Sequence, residues 1–190
     1  MNLTLWQMKT MTNKPEKRAI VLKKLLFVAV AVVTVILDRI TKSAVVANFA
    51  KEWDSVTAIP GFLNFTYVLN DGAVAGILSD NRWVFMSVSV VAIAAITLYL
   101  FLSKDVGAGI GISAAMITGG GIGNMIDRVG SGEVIDFIDV TAVNFFPFNC
   151  VFNVADMFVC VGCALLIAFF IADEIKEAKA KKKKSEKNED

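Results

Sequence analysis

From Gly123 to Val140 the chain reads GNMIDRVGSGEVIDFIDV, and from Phe152 to Asp156 it reads FNVAD. Asp127, Asp136, Asp139 and Asp156 are carboxylates set against long apolar blocks. A carboxylate at mid-membrane costs about 2.5–3.5 kcal/mol on insertion scales, and less nearer the surface. A plain anchor would carry Leu at position 156, so Asp156 is expected to face a bundle interior near a polar cavity. Two carboxyls a few ångströms apart cannot both ionise cheaply, so they share a proton. The ionised member then takes a proton from water as the water attacks a carbonyl. The protonated member donates a hydrogen bond to the developing oxyanion. That is peptide hydrolysis without metal, histidine or covalent intermediate. Spacing alone does not say which of Asp127, Asp136 and Asp139 meets Asp156, and Arg128 is available to neutralise one of them.

Other polar residues have plainer readings beside functional ones. Asp38 and Lys42 are four apart on one helical face, acid before base, and read first as a structural ion pair. Asn70 opens the turn signal Asn70-Asp71-Gly72, a turn former as readily as a site residue. Asn124, Arg128 and Asn153 can satisfy backbone groups at helix ends. The chain has no histidine, which excludes Ser-His-Asp and Cys-His catalysis and H-E-x-x-H zinc sites. No metal site or cofactor is expected. Three cysteines give no disulfide framework, and Cys160 and Cys163 inside an apolar helix read as packing residues. TGGGIGN, from Thr118, lacks the Lys-Ser/Thr of a phosphate loop and follows a membrane helix instead of a strand.

The elements that must hold these residues are membrane spans. Mean hydropathy is +0.63 and 56% of residues are hydrophobic, too apolar for a soluble domain of 190 residues. Trp83 to Leu102 carries no charge and as a helix is about 30 Å long, the thickness of a hydrocarbon core. Val106 to Ile126 and Val151 to Ala172 are of similar length, and a first span runs from Leu25 past Asp38 to about Ala44. A cleaved signal peptide is disfavoured for this first segment. The expected fold is an all-α membrane protein, a four-transmembrane-helix bundle spanning residues 19–172, with segments 1–18 and 173–190 in the cytoplasm. Lysines and arginines precede the first span, follow the last, and include Lys104 between the second and third, so both termini are placed inside. With net charge +1, the lysine-rich tail reads as facing anionic membrane lipids and not nucleic acid. In the outward segment, LNFTYVL (Leu63 to Leu69) alternates and precedes Asn70-Asp71-Gly72 and AVAGIL, which predicts a small extracytoplasmic β-hairpin. Gly107, Gly111, Ala115, Gly119 and Gly123 recur at every fourth position, a ridge that lets another helix approach closely.

DRITK at Asp38, NDGAVAG at Asn70, GGGIGNMIDRVGSGEVIDFID from Gly119 and FNVAD from Phe152 stand in the order, and around the number of spans, of the motifs of lipoprotein signal peptidase. The chain resembles that family over about residues 20–172. The resemblance implies an aspartyl endopeptidase of the bacterial inner membrane, acting on prolipoproteins, with its site near the outer face, and a four-span bundle is expected to work as a monomer. It would cleave the signal peptide before a cysteine that already carries diacylglycerol. Matched residue by residue, Asp136 and Asp156 would be the catalytic pair. Asn70, Gly120, Asn124, Arg128 and Asn153 would line or brace the site, and Asp38 and Lys42 would be the first-span polar pair. Asp127 would be structural, paired near Arg128. Ala75 stands where the family usually has Phe. A different class of reading is a small ion-coupled carrier in which Asp38, Asp136 and Asp156 relay protons or cations.

Overall fold

The computed structural model describes residues 5–71, 82–103, 106–141 and 151–186. In chain order these form α1 (Leu5–Asn48), β1 (Ser55–Ile59), β2 (Leu63–Asn70), α2 (Arg82–Leu102), α3 (Ala108–Gly130), β3 (Val134–Asp139), β4 (Val151–Phe152) and α4 (Val154–Glu186). Three helical stretches, Lys17–Asn48, Ala108–Gly130 and Val154–Lys181, are long and apolar enough to cross a membrane. The described apolar part of α2, Met86–Leu102, is shorter.

The distribution of polarity is that of a protein solvated by lipid. Val32, Val33, Ile36, Leu98, Leu165 and Phe170 point outward, whereas Thr34, Asp38, Lys42, Ser113, Asn124 and Asn153 are buried. In hydrocarbon no water is available to satisfy polar side chains, so they turn inward to one another.

α3 is the central helix, packed by α1, α2 and α4. Its small residues make this possible. A Cβ on Gly111 would sit 2.0 Å from Phe27 Cζ, one on Gly119 2.6 Å from the Ala31 carbonyl oxygen, and one on Gly123 2.6 Å from Asp38 Oδ2. The expected ridge therefore exists and faces α1; Gly107 lies at its end as the residue capping α3, with open space around it. Along α4 the order reverses: Gly109 meets Phe169, Ser113 and Ile117 meet Gly162, and Gly120 meets Ala155 and Val159. α1 and α3 thus run parallel and α4 antiparallel to both. Ile93 lies against Gly121, and Leu100 clusters with Ala114 and Ala115, so α2 is antiparallel to α3 as well. Lys24 Nζ donates to the carbonyl of Phe101 and satisfies one of the orphan acceptors at the end of α2.

The strands form one antiparallel sheet in the order β1-β2-β3-β4. The hairpin is present, but on the other side of β2 from the one expected. Ile59-Pro60-Gly61-Phe62 closes it, with Phe62 N donating to Ile59 O at 3.0 Å and Gly61 at φ 71°. Pro then Gly at the two central positions is the chemistry of a type II turn. The second edge of β2 pairs with β3; AVAGIL lies within residues 72–81, with Gly72 and Ala75, outside the described residues. β3 itself was not expected: VIDFID reads as a connector until its alternation of Val, Ile and Phe is set against β2.

Two helices also run through boundaries drawn from charge. α1 begins at Leu5 and α4 continues to Glu186. The end of α4 is mostly Ala, Lys and Glu, good helix formers, so that helix has no local reason to stop where the apolar region ends.

Candidate active site

At one end of the bundle, the start of α4 sets the geometry. Asn153 caps the helix: its Oδ1 accepts from Asp156 N at 2.9 Å, while Asp156 Oδ2 accepts from Asn153 N at 3.1 Å. This reciprocal pair has the logic of a capping box. Asp156 therefore stands in the first turn of α4, where the helix dipole favours a carboxylate, and not more than a turn inside an apolar block. The Asn-x-x-Asp spacing in FNVAD is a helix-start signal that locates this turn. Asp38, on α1, adds a second cap, its Oδ1 accepting from Ala155 N at 3.1 Å.

Asn153 also carries the connection to β3. Its Nδ2 donates to Asp136 Oδ1 at 2.6 Å and to Asn124 Oδ1 at 3.0 Å. Asn124, in turn, donates from Nδ2 to Asp156 Oδ1 at 2.7 Å. Asn70, at the end of β2, donates to Asp136 Oδ2 at 2.7 Å. The two carboxylates are thus spanned by one asparagine and held by three amides in all. Asn153 is fully buried and each of its side-chain polar atoms has a partner. Asp136 is 2% exposed, and Asp156 is half-buried. Burial pushes the Asp136 carboxyl from 3.8 up to about 6, and the nearby Asp156 charge adds to the rise. The Asn70 and Asn153 amides and the Lys42 charge pull it the other way.

The remaining aspartates sort by position. Asp139 accepts from Thr66 Oγ1 at 3.0 Å on the sheet and does not join this network. Asp127, for which the resemblance implies a structural role near Arg128, is buried in ion pairs, but its partner is not Arg128. It pairs with Lys42 Nζ at 2.7 Å and with Arg39 Nη1. Arg128 is half-buried and makes no ion pair among the described residues. Both α1 cations reach Asp127 because the close Gly119 and Gly123 contacts bring α1 against α3. Lys42 also pairs with Asp38 at 3.0 Å, the expected i,i+4 contact, with both side chains fully buried. Arg39 went unnoticed in the sequence; its only signal is its place next to Asp38.

Gly120 is a packing position beneath this site. A methyl there would lie 2.5 Å from the Ala155 carbonyl oxygen and 2.8 Å from Val159 Cγ2. Gly120→Ala is expected to destabilise by about 1–3 kcal/mol and to displace the first turn of α4, lowering activity with it. Thermal unfolding in detergent checks this, with Gly107→Ala as the control, since its added carbon meets nothing within 4 Å. Cys160 and Cys163 are unbonded and exposed on α4, not packed inside. Among the described residues no group of three or more Cys, Asp or Glu side chains is arranged to hold a metal ion.

The chain is similar to known proteins over most of its length. Residues 30–172 match the family model described as signal peptidase (SPase) II. The lipoprotein signal peptidase of Symbiobacterium thermophilum is 36% identical over 152 residues, covering 80% of this chain and 98% of that protein. That of Staphylococcus aureus is 34% identical over 147 residues, covering 77% of this chain and 88% of its own. A solved structure described as a bacterial membrane enzyme superposes with a TM-score of 0.69 at 33% identity, covering 78% of this chain and 89% of that one. The match encloses Asp38, Lys42, Asn70, Asn124, Asp136, Asn153 and Asp156, and on these grounds the chain belongs to the signal peptidase II family.

Proposed function

We propose that this protein is an intramembrane aspartyl endopeptidase that removes the signal peptide of prolipoproteins before their diacylglyceryl-modified cysteine. The observation that carries the reading is Asn153, which donates from its side chain to the Asp136 carboxylate and from its backbone N–H to the Asp156 carboxylate at one end of the bundle. Asp136, with its raised pKa, holds the proton, and Asp156 takes a proton from the attacking water. The oxyanion forms against Asp136, and the same proton passes to the leaving amine. The reaction balances as hydrolysis: water gives its hydroxyl to the new carboxyl group and a proton to Asp156, Asp136 gives its proton to the new amine, and the pair, again holding one proton, passes it back to Asp136 before the next turnover. No metal or cofactor enters.

Four spans with both termini in the cytoplasm suit this reading. The alternating helix directions support it, as do the cations gathered at one end, among them Arg18, Lys23 and Lys24 on α1 and Lys176 and Lys179 on α4. Asp38, Asp127, Asp136 and Asp156 lie at the opposite end, which supports a site near the outer face. Their clustering there also weighs against a carrier, whose relay must cross the membrane. A monomer provides every residue named.

The deciding experiment incubates the purified protein with a prolipoprotein precursor, with and without diacylglycerol on its cysteine. Cleavage just before the modified cysteine, and little or none of the unmodified precursor, is the expected result. Equal cleavage of both would remove the lipid from the specificity. No cleavage of either, with a pH-gradient-driven flux in proteoliposomes, would favour the carrier.

A further inference from the structure

Lys42 is fully buried and lies within reach of three oxygens. Two belong to Asp38 and Asp127, at 3.0 and 2.7 Å. The third is the Asn124 carbonyl oxygen, to which Lys42 donates a hydrogen bond at 2.8 Å. Arg39 pairs with Asp127 from the other side, so the four charged groups Asp38, Arg39, Lys42 and Asp127 balance. Balance alone would make this a structural cluster. The bond to Asn124 is additional, because Asn124 and Asn153 are the amides that hold the two carboxylates.

We propose that Lys42 is a positioning residue: by bonding the Asn124 carbonyl oxygen, it fixes the direction of both asparagine amides so that each aspartate receives an N–H. The inference rests on the reading of Asp136 and Asp156 as the working pair. Asn124 Oδ1 accepts from Lys42 and from Asn153 Nδ2, which leaves Asn124 Nδ2 facing Asp156. Turned over, that amide would set its NH2 against an ammonium and a second NH2, and its oxygen against a carboxylate. A buried group left in that state loses its bonds outright. With the Asn124 oxygen held in place, the two hydrogens of Asn153 Nδ2 are assigned as well, one to Asn124 and one to Asp136. Lys42 thereby acts on both aspartates without touching either. Its charge also stabilises the ionised form of Asp136. The charged groups facing this region are Asp38 and Arg39 from α1, Asp127 from α3, Asp136 from β3 and Asp156 from α4.

The test measures kcat and KM against pH for cleavage of the modified precursor by wild type and by Lys42→Met. The expected result is a fall in kcat of about 10²-fold, the scale of a small misplacement of reacting groups. KM is little changed, because the substrate contacts remain. The pH optimum moves upward, because Asp136 loses a neighbouring cation and holds its proton longer. Since Lys42→Met leaves two buried carboxylates short of one cation, the double variant Lys42→Met/Asp38→Asn keeps the cluster balanced. Asn can still accept from Ala155 N, so the second cap on α4 survives. If the single variant does not fold, the double variant is read in its place for kcat and KM, since its balanced charge leaves the pH optimum near that of wild type. A wild-type kcat in either folded variant overturns the inference, as does, in the single variant, a kcat loss with the optimum unmoved. If Asp136→Asn is inactive while Lys42→Met keeps the wild-type profile, only the positioning role fails. If Asp136→Asn is active, the reading beneath it fails.

Discussion

Asp136→Asn and Asp156→Asn are each expected to lower cleavage of a diacylglyceryl-modified precursor by about 10⁴-fold or more, with the protein still inserted and folded. Groups that act as a unit fail as a unit, so the double variant should be scarcely worse than either single one. The reason lies in the bonding. Asn at 136 keeps the shape of the side chain and one acceptor, so Asn70 or Asn153 retains a partner. It can no longer pass a proton to the leaving amine. Asn at 156 keeps an oxygen for the Asn153 backbone N–H, so α4 still starts in the same place. It can no longer take a proton from water. Asp139→Asn is the matched control. Asp139 sits on the same strand but bonds to Thr66, and its variant should retain most activity. Cleavage rates measured beside circular dichroism and thermal melts separate these outcomes; substantial activity in either of the first two variants would remove the pair.

The second large effect is expected at Asn153. Asn153→Ala removes the cap on α4, a loss of about 1 kcal/mol on its own. It also removes the donor to Asp136 and to Asn124, both of them buried. Activity should fall by about 10²–10³-fold, the scale seen when one oriented donor is lost from a catalytic site. Asn153→Ser separates the two roles. Ser caps a helix about as well as Asn, so the capping part of the stability returns. Its hydroxyl cannot serve Asp136 and Asn124 together, so activity stays low. Recovery of activity along with stability in Asn153→Ser would reduce Asn153 to a helix cap.

How much of this could be read beforehand varies with the kind of contact. The pairing of Asp38 with Lys42 was legible because a helix fixes which residues are neighbours at four positions' distance. The glycine ridge was legible for the same reason, although the sequence did not say that α1 was the helix it receives. Contacts between strands were harder. The sequence marked Leu63 to Leu69 as a strand, but the turn that joins β2 to β1 is at Pro60-Gly61, before it. β3 was hidden because its neighbour β2 lies more than sixty residues earlier, a separation no local pattern reports.

The site shows the same division. Motif resemblance singled out Asp136 and Asp156, whereas chemistry alone left Asp127 and Asp139 equally open. The structure brings Asp136 and Asp156 onto one asparagine and leaves the other two elsewhere, one in the cation cluster and one on the sheet. Arg39 could not be foreseen, because its pairing with Asp127 depends on how closely α1 approaches α3. The pairing of Asp127 with Arg128 failed for a simple geometric reason. Adjacent residues on a helix point in different directions, and Asp127 faces α1.

The most direct test of the central claim is an experimental structure determined near neutral pH with the carboxyl groups of Asp136 and Asp156 resolved. The account predicts that a single water fits between them, within about 2.6–3.2 Å of an oxygen on each. Carboxyl groups turned apart, or divided by a side chain that leaves no room for that water, would contradict it.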